Sequence, residues 1–253
     1  MTVNKMFVLK DISKTYGEMK ALSSLSLIVE KGEMIALIGP SGAGKTTLLN
    51  ILANTVLPDN GEVIVDGIEL HAYKSTKHFA NKVGMIRQQF DLVGQLRVIH
   101  NVLAGRLKDW GFFKAFLSLI FPQDSKIAEA ALEKVGLKDK LYERTGSLSG
   151  GEQQRVAMAR LLVQKPQAVL ADEPVASLDP ARAEDILYML SKLASEENQT
   201  LIASLHSIEY AKKYFNRIIA LQSGKVYFDL PVEKVTEELL SSLYSLEEEK
   251  KHE

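Results

Sequence analysis

The stretch Gly39-Pro40-Ser41-Gly42-Ala43-Gly44-Lys45-Thr46 limits this chain more than any other. It reads G-x-x-x-x-G-K-T, the pattern of a phosphate-binding loop. An apolar run, Met34 to Ile38, precedes it, and Thr47-Leu48-Leu49-Asn50-Ile51-Leu52 comes after it as a helix start. That is the strand–loop–helix setting the motif requires. Glycines let the backbone close around an anion with its N–H groups turned inward. The helix N-terminus behind the loop adds about half a positive charge. Lys45 is placed to reach the β- and γ-phosphates, and the Thr46 hydroxyl to face Mg²⁺.

The rest of the composition narrows the class. With 253 residues there is room for a large core and for one domain, or one plus a subdomain. The net charge of −1 argues against a nucleic-acid binder that relies on overall basic charge. The absence of Cys removes disulfides, thiol chemistry and Cys-based zinc sites, and fits a reducing compartment. The first residues show no apolar signal-peptide core. No stretch approaches the roughly 18 apolar residues of a membrane span. The aromatic run Trp110 to Phe121 is short and broken by Lys114. Work at a membrane would therefore go through a partner's span.

Residues 6–10, about 21–30 and 34–38 read as strands, and Glu62 to Asp66 as another. Tyr16, near the turn at Gly17, is open to two readings: an aromatic that stacks on a base, or one that packs a strand edge. From about residue 90 to 165 the pattern turns helical. Val98 to Leu107, Trp110 to Phe121 and Ser125 to Val135 are expected helices, the last with Ser125 as N-cap and Gly136 as its stop. After this insert the rhythm alternates: helix from Glu152 to Gln164, strand Ala168 to Ala171, helix Pro180 to Glu196, strand Thr200 to Ser204, helix Ser207 to Phe215, strand Arg217 to Gln222. Such alternation implies a largely parallel sheet with helices on its faces. Residues 246–253 read as a charged, mobile tail.

Val169-Leu170-Ala171-Asp172-Glu173 is an apolar strand ending in two acids. Ligands of parallel sheets gather at the carboxyl ends of strands. Asp172 is thus expected near the phosphate loop holding Mg²⁺, and Glu173 beside it as general base for an attacking water. Taken alone, the pair also reads as a solvated acidic turn before Pro174; the phosphate loop favours the first reading.

Leu148-Ser149-Gly150-Gly151-Glu152, continued by Gln153-Gln154-Arg155, completes the set. With it, the chain resembles the ATP-binding subunits of ABC transporters along nearly its whole length. The motif order also matches: phosphate loop, glutamine loop, this signature, acidic strand, Ser177-Leu178-Asp179, then His206. The resemblance implies an α/β fold: a P-loop NTPase core of ABC ATPase type with an antiparallel β subdomain and an inserted helical subdomain, one ATPase domain over residues 1–245. It implies ATP and Mg²⁺ as cofactors and a nucleotide site formed by Tyr16, Gly39, Pro40, Ser41, Gly42, Ala43, Gly44, Lys45, Thr46 and Thr47. Ser149, Gly150 and Gly151 would close on the γ-phosphate held by a second copy in a head-to-tail homodimer, and Asp179 would contact that copy. Gln88 resembles the glutamine that senses Mg²⁺ and the attacking water, with neighbouring Gln89 leaving the register open by one. Arg87 stands where a proline is common. His206 resembles the histidine that contacts the γ-phosphate; only its place in the ordered set singles it out.

The same resemblance implies a separate integral membrane permease, an extracytoplasmic solute-binding protein, no nucleic acid, and a place on the cytoplasmic face of the cell membrane. Residues 171–180, 85–93, 101–107 and 203–206 are similar to the phosphonate importer branch, leaving phosphonate, phosphite or phosphate as solute. Trp110 to Phe121 sits where that branch has extra helix, either a plain covering helix or a permease-facing surface. The rival readings are the ATPase of an exporter or lipoprotein-release system, a soluble ABC ATPase of ribosome or DNA, and a P-loop kinase or GTPase. The single ATPase unit, the short insert and the signature speak against the last two.

Overall fold

The structure, a computed structural model, describes residues 4–73, 75–176 and 178–250; Ser177 of the expected Ser177-Leu178-Asp179 run lies outside them. Strands β1 (Lys5–Tyr16) and β2 (Met19–Glu30) form a long hairpin, with β3 (Met34–Ile38) and helix α1 (Lys45–Leu52) after it. Strands β4 (Asn60–Val65) and β5 (Ile68–Glu69), helix α2 (Thr76–Ala80) and strand β6 (Val83–Ile86) come next. The insert contributes α3 (Val98–Leu103), α4 (Phe112–Ile120), α5 (Ser125–Lys134) and α6 (Gly150–Gln164). The alternating part consists of β7 (Ala168–Ala171), α7 (Pro180–Glu196), β8 (Thr200–Ser204), α8 (Ile208–Tyr214), β9 (Arg217–Gln222), β10 (Lys225–Pro231) and α9 (Glu237–Lys250).

Two sheets result. One is antiparallel, in the order β2-β1-β4-β5; the other runs β10-β9-β3-β8-β7-β6 and is parallel except for the β9–β10 hairpin. The central strands read as unbroken apolar runs because both of their faces are covered. Side chains alternate between two cores: Ile35, Leu37, Leu170 and Ile202 join the antiparallel sheet and α1, while Ala36, Ile38, Val169 and Ala203 join the helices of the insert and α7. The parallel register pairs Leu37 with Ser204 and Ala171 with Ala203. The carboxyl ends of β3, β8 and β7 therefore finish at one edge, and the loops leaving these three strands meet there.

The helical insert is tied back to this edge. Arg160 of α6 donates to the Phe90 and Asp91 carbonyls at 2.9 and 2.8 Å. Asn101 of α3 accepts from Val93 N at 2.8 Å and donates to Thr145 Oγ1 at 2.8 Å.

Two expectations need correction. The N-cap of α5 is Asp124, not Ser125. Its backbone is left-handed (φ 59°), and its carboxylate accepts from Trp110 Nε1 at 3.2 Å and Lys114 Nζ at 3.1 Å, so it turns away from the helix end. The helix expected over Val98 to Leu107 tightens to a 3₁₀ turn at Ala104–Arg106. The backbone of α9 runs into the stretch read as a charged tail, whose residues 251–253 lie outside the described residues.

Candidate nucleotide site

The phosphate loop leaves β3 and enters α1 by way of three glycines in the left-handed region: Gly39 (φ 140°), Gly42 (φ 79°) and Gly44 (φ 102°). At Gly39 the need is steric as well, since a Cβ there would lie 2.1 Å from the Leu221 carbonyl oxygen. Lys45 is buried and donates to the carbonyls of Gly39 and Pro40 at 2.6 and 2.9 Å. Its ammonium is thus held over the loop's own mouth. Thr46 Oγ1 donates to Asp172 Oδ1 at 3.2 Å, joining the loop to the acidic end of β7.

Ser204, the last residue of β8, ties the acids together. Its hydroxyl donates to Asp172 Oδ1 at 2.8 Å and accepts from Glu173 N at 2.8 Å. Glu173 has a left-handed backbone (φ 48°), a strained setting for a side chain of its size. That turn aims its carboxylate at His206, whose Nε2 lies 2.8 Å from Glu173 Oε1. An ionised carboxylate only accepts, so this bond places a proton on Nε2. Glu173, Ser204 and His206 line a cavity of about 410 Å³ with Val175, Ala176 and Tyr210.

Gln88 is exposed two residues beyond β6, whose Ile86 carbonyl accepts from Asp172 N at 2.9 Å. The glutamine loop and the acidic strand end are therefore neighbours. Tyr16 ends β1, opposite Met19 and 44 % exposed, with Lys14 Nζ 5.6 Å from its ring centroid.

The signature stands apart, at the head of α6, which packs on α3, α5 and α7. Ser149 is the N-cap in a reciprocal capping box: Glu152 N donates to its hydroxyl at 3.4 Å, and Ser149 N donates to Glu152 Oε2 at 2.8 Å. The Ser149 backbone and hydroxyl bonds hold the Glu152 carboxyl below its ordinary range. Cβ positions at Gly150 and Gly151 meet nothing within 4 Å, so this end is open to an approaching surface. Asp179 caps α7, accepting from Arg182 N at 3.1 Å.

Four residues to which the sequence assigned no individual role hold this arrangement: Ser204, Arg160, Asn101 and Gln154. Gln154 is buried, donates to the Pro174 carbonyl, and so links α6 to the segment after Glu173. Ser204 had a legible signal, a polar residue closing a buried strand. Arg160 had none, because its partners are main-chain carbonyls some 70 residues earlier; Asn101 had none, because its role is to join the nearby Val93 main chain to the distant Thr145 hydroxyl.

A phosphate cradle, an acidic strand end and a carboxylate–imidazole pair at one sheet edge define a P-loop nucleotide triphosphatase. Comparison with known proteins identifies its family. Residues 22–176 match the ABC transporter family. The chain is 42 % identical to the phosphonates import ATP-binding protein PhnC of Pseudomonas putida, over 93 % of this chain and 88 % of the relative. It is 40 % identical to a PhnC protein of Halalkalibacterium halodurans, over 94 % of each. Among solved structures it resembles a dimeric bacterial ABC transporter cassette (TM-score 0.77, 34 % identity, 90 % of this chain and 99 % of the other). It also resembles an ATP-binding cassette dimer in a post-hydrolysis state bound to ADP and Pi (TM-score 0.75, 34 % identity, with the same coverage). The chain belongs to the ABC transporter ATP-binding family, and it binds and hydrolyses ATP to drive transport. Among the described residues no helix is long and apolar enough to cross a membrane.

Proposed function

We propose that this chain energises uptake of phosphonate, or of a closely related reduced phosphorus compound, through a separate membrane permease. Its identity of 40–44 % with importer ATP-binding proteins named for phosphonates, over about nine tenths of its length, carries the choice of solute. The chain works as a homodimer on the cytoplasmic face of the membrane, in a system with an extracytoplasmic solute-binding protein. Two separated elements support the dimer: the phosphate loop and the open Ser149–Gly151 helix end are both anion sites, and each copy has one of each.

ATP lies with its phosphates on Gly39–Thr47 and its base on Tyr16. Lys45 leaves the loop carbonyls for the β- and γ-phosphate oxygens. Thr46 and Asp172 are hard oxygen donors 3.2 Å apart, a donor set that suits Mg²⁺. Among the described residues no cluster of three or more His, Cys, Asp or Glu could hold a metal, so Thr46 and Asp172 would hold Mg²⁺ only together with the bound nucleotide. Bound there, Mg²⁺ supplies positive charge against the phosphate oxygens. Glu173 accepts the proton of the attacking water, and His206 fixes the carboxylate and reaches the γ-phosphate. Gln88 borders the same water. The second copy's Ser149, Gly150 and Gly151 close over the γ-phosphate, and Asp179 touches that copy. Hydrolysis removes the shared phosphate and lets the two copies part.

The test is uptake in cells that depend on the system for a phosphonate. Wild type restores uptake and Glu173→Gln does not; equal uptake by both would overturn the assignment, and transport of other solutes alone would overturn the choice of phosphonate.

A further inference from the structure

Helix α4 and the residue that follows it turn five large apolar side chains to solvent within ten residues: Phe112 (81 % exposed), Phe113 (87 %), Phe116 (60 %), Leu117 (46 %) and Phe121 (64 %). The other side of the helix is fixed to the protein. Ala115 packs on the core, Ser118 is buried, and Trp110 just before the helix is buried with its Nε1 bonded to Asp124. The aromatic face is therefore held outward by its own anchor. Soluble surfaces rarely expose so many neighbouring apolar groups, so something covers them.

Charge indicates what that is. Residues 72–126 hold nine Lys or Arg and three Asp, with no Glu, for a net +6 in a chain whose total is −1; the remaining residues carry −7. The basic groups reach the root of α4. Lys77 donates to the Trp110 carbonyl at 2.9 Å, Lys108 lines the same cavity as Lys77 and Leu107, and Lys114 lies in the helix itself. Lys126 is exposed in the first turn of α5. A face of Phe and Leu with Lys at its root suits the boundary between headgroups and acyl chains, which asks for no shape or hydrogen-bond match.

We propose that α4 rests on the bilayer, its Phe112, Phe113, Phe116 and Phe121 side chains at the acyl boundary and Lys77, Lys108 and Lys126 facing anionic headgroups. The chain thus touches lipid directly as well as through its permease. This contact stands on exposure and charge and does not depend on the identity of the solute.

The full-length chain is sedimented with phosphatidylcholine vesicles, with and without phosphatidylglycerol, and its ATP hydrolysis is measured in parallel. Wild type should pellet at least about fivefold more with the anionic vesicles, and the excess should fall as salt shortens the screening length from ~30 Å to ~8 Å. The variant F112S/F113S/F116S should lose the excess while its hydrolysis stays within about twofold of wild type, since none of these residues touches nucleotide. The single variant Phe113→Ser, milder for folding, should lose part of it. Equal pelleting of wild type and variants, or none of wild type with either vesicle, overturns the proposal. So does wild type binding only vesicles that contain the permease, which would assign the face to protein. Vesicle binding without any ATP hydrolysis would instead sink the ATPase reading and leave this one standing.

Discussion

His206 Nε2 lies 2.8 Å from Glu173 Oε1, joining the ends of two parallel strands beside a cavity that both residues line. The contact depends on the left-handed turn at Glu173 and on Ser204, whose hydroxyl accepts from Glu173 N. A carboxylate held this way can take a proton without first being reoriented. Glu173→Gln should lower ATP turnover by about 10²- to 10⁴-fold while keeping ATP affinity within about threefold. Steady-state hydrolysis and nucleotide titration measure the two effects. Near-normal turnover would remove Glu173 as general base.

The phosphate loop makes a graded prediction. Gly39 and Gly42 both have positive φ, but only Gly39 is also crowded, with backbone oxygen 2.1 Å from where a Cβ would sit. Gly42→Ala should cost about 1 kcal/mol from backbone strain and leave the loop formed. Gly39→Ala must push β3 from β9 or open the loop, and should abolish nucleotide binding. Lys45→Ala should abolish it as well, with less loss of fold, because its bonds to the Gly39 and Pro40 carbonyls lie within the loop itself. Thermal unfolding with and without ATP separates the three variants. Equal ATP affinity in Lys45→Ala and wild type would contradict the placement of the lysine on the phosphates.

Much of this was legible where local pattern and burial agree. Strands β3, β7 and β8 are apolar runs because both faces are covered, and the helix over Pro180–Glu196 begins at Asp179 with Pro180 at its first position. Strand β6 escaped notice because Gly84 interrupts a run of only four residues. At the start of α5, Asp124 and Ser125 are both good caps by type. Trp110 and Lys114 decide between them by drawing the Asp124 carboxylate aside. Arg160 could not be assigned from sequence, since the carbonyls it binds belong to Phe90 and Asp91, some 70 residues earlier. The signature itself was plain, but its capping box makes Glu152 as much a structural residue as a marker.

Asn101 provides a test of the link between the glutamine loop and the signature. It bonds both backbone groups of Val93 and the Thr145 hydroxyl, and it is buried. Asn101→Leu leaves those partners unpaired and should cost about 2 kcal/mol, a fall in Tm of about 6 °C for a chain of this size. ATP affinity, set on the other side of the sheet edge, should change less than hydrolysis. Unchanged stability would mean that water replaces the lost bonds.

The capping box at the signature should be visible in the pH dependence of stability. Bonds from the Ser149 backbone and hydroxyl hold the Glu152 carboxyl below its ordinary value of 4.5. A carboxyl whose folded value is depressed stabilises the fold above its unfolded value and loses that contribution as pH falls through the folded one. Glu152→Gln keeps an acceptor but removes the charge. The wild type should therefore unfold about 1–2 °C higher than this variant at pH 7, a small shift because the carboxylate faces solvent. The gap should narrow only below pH 4.5 and close once the carboxyl is protonated. A gap that persists unchanged into acid would show that side-chain shape, not charge, stabilises the head of α6.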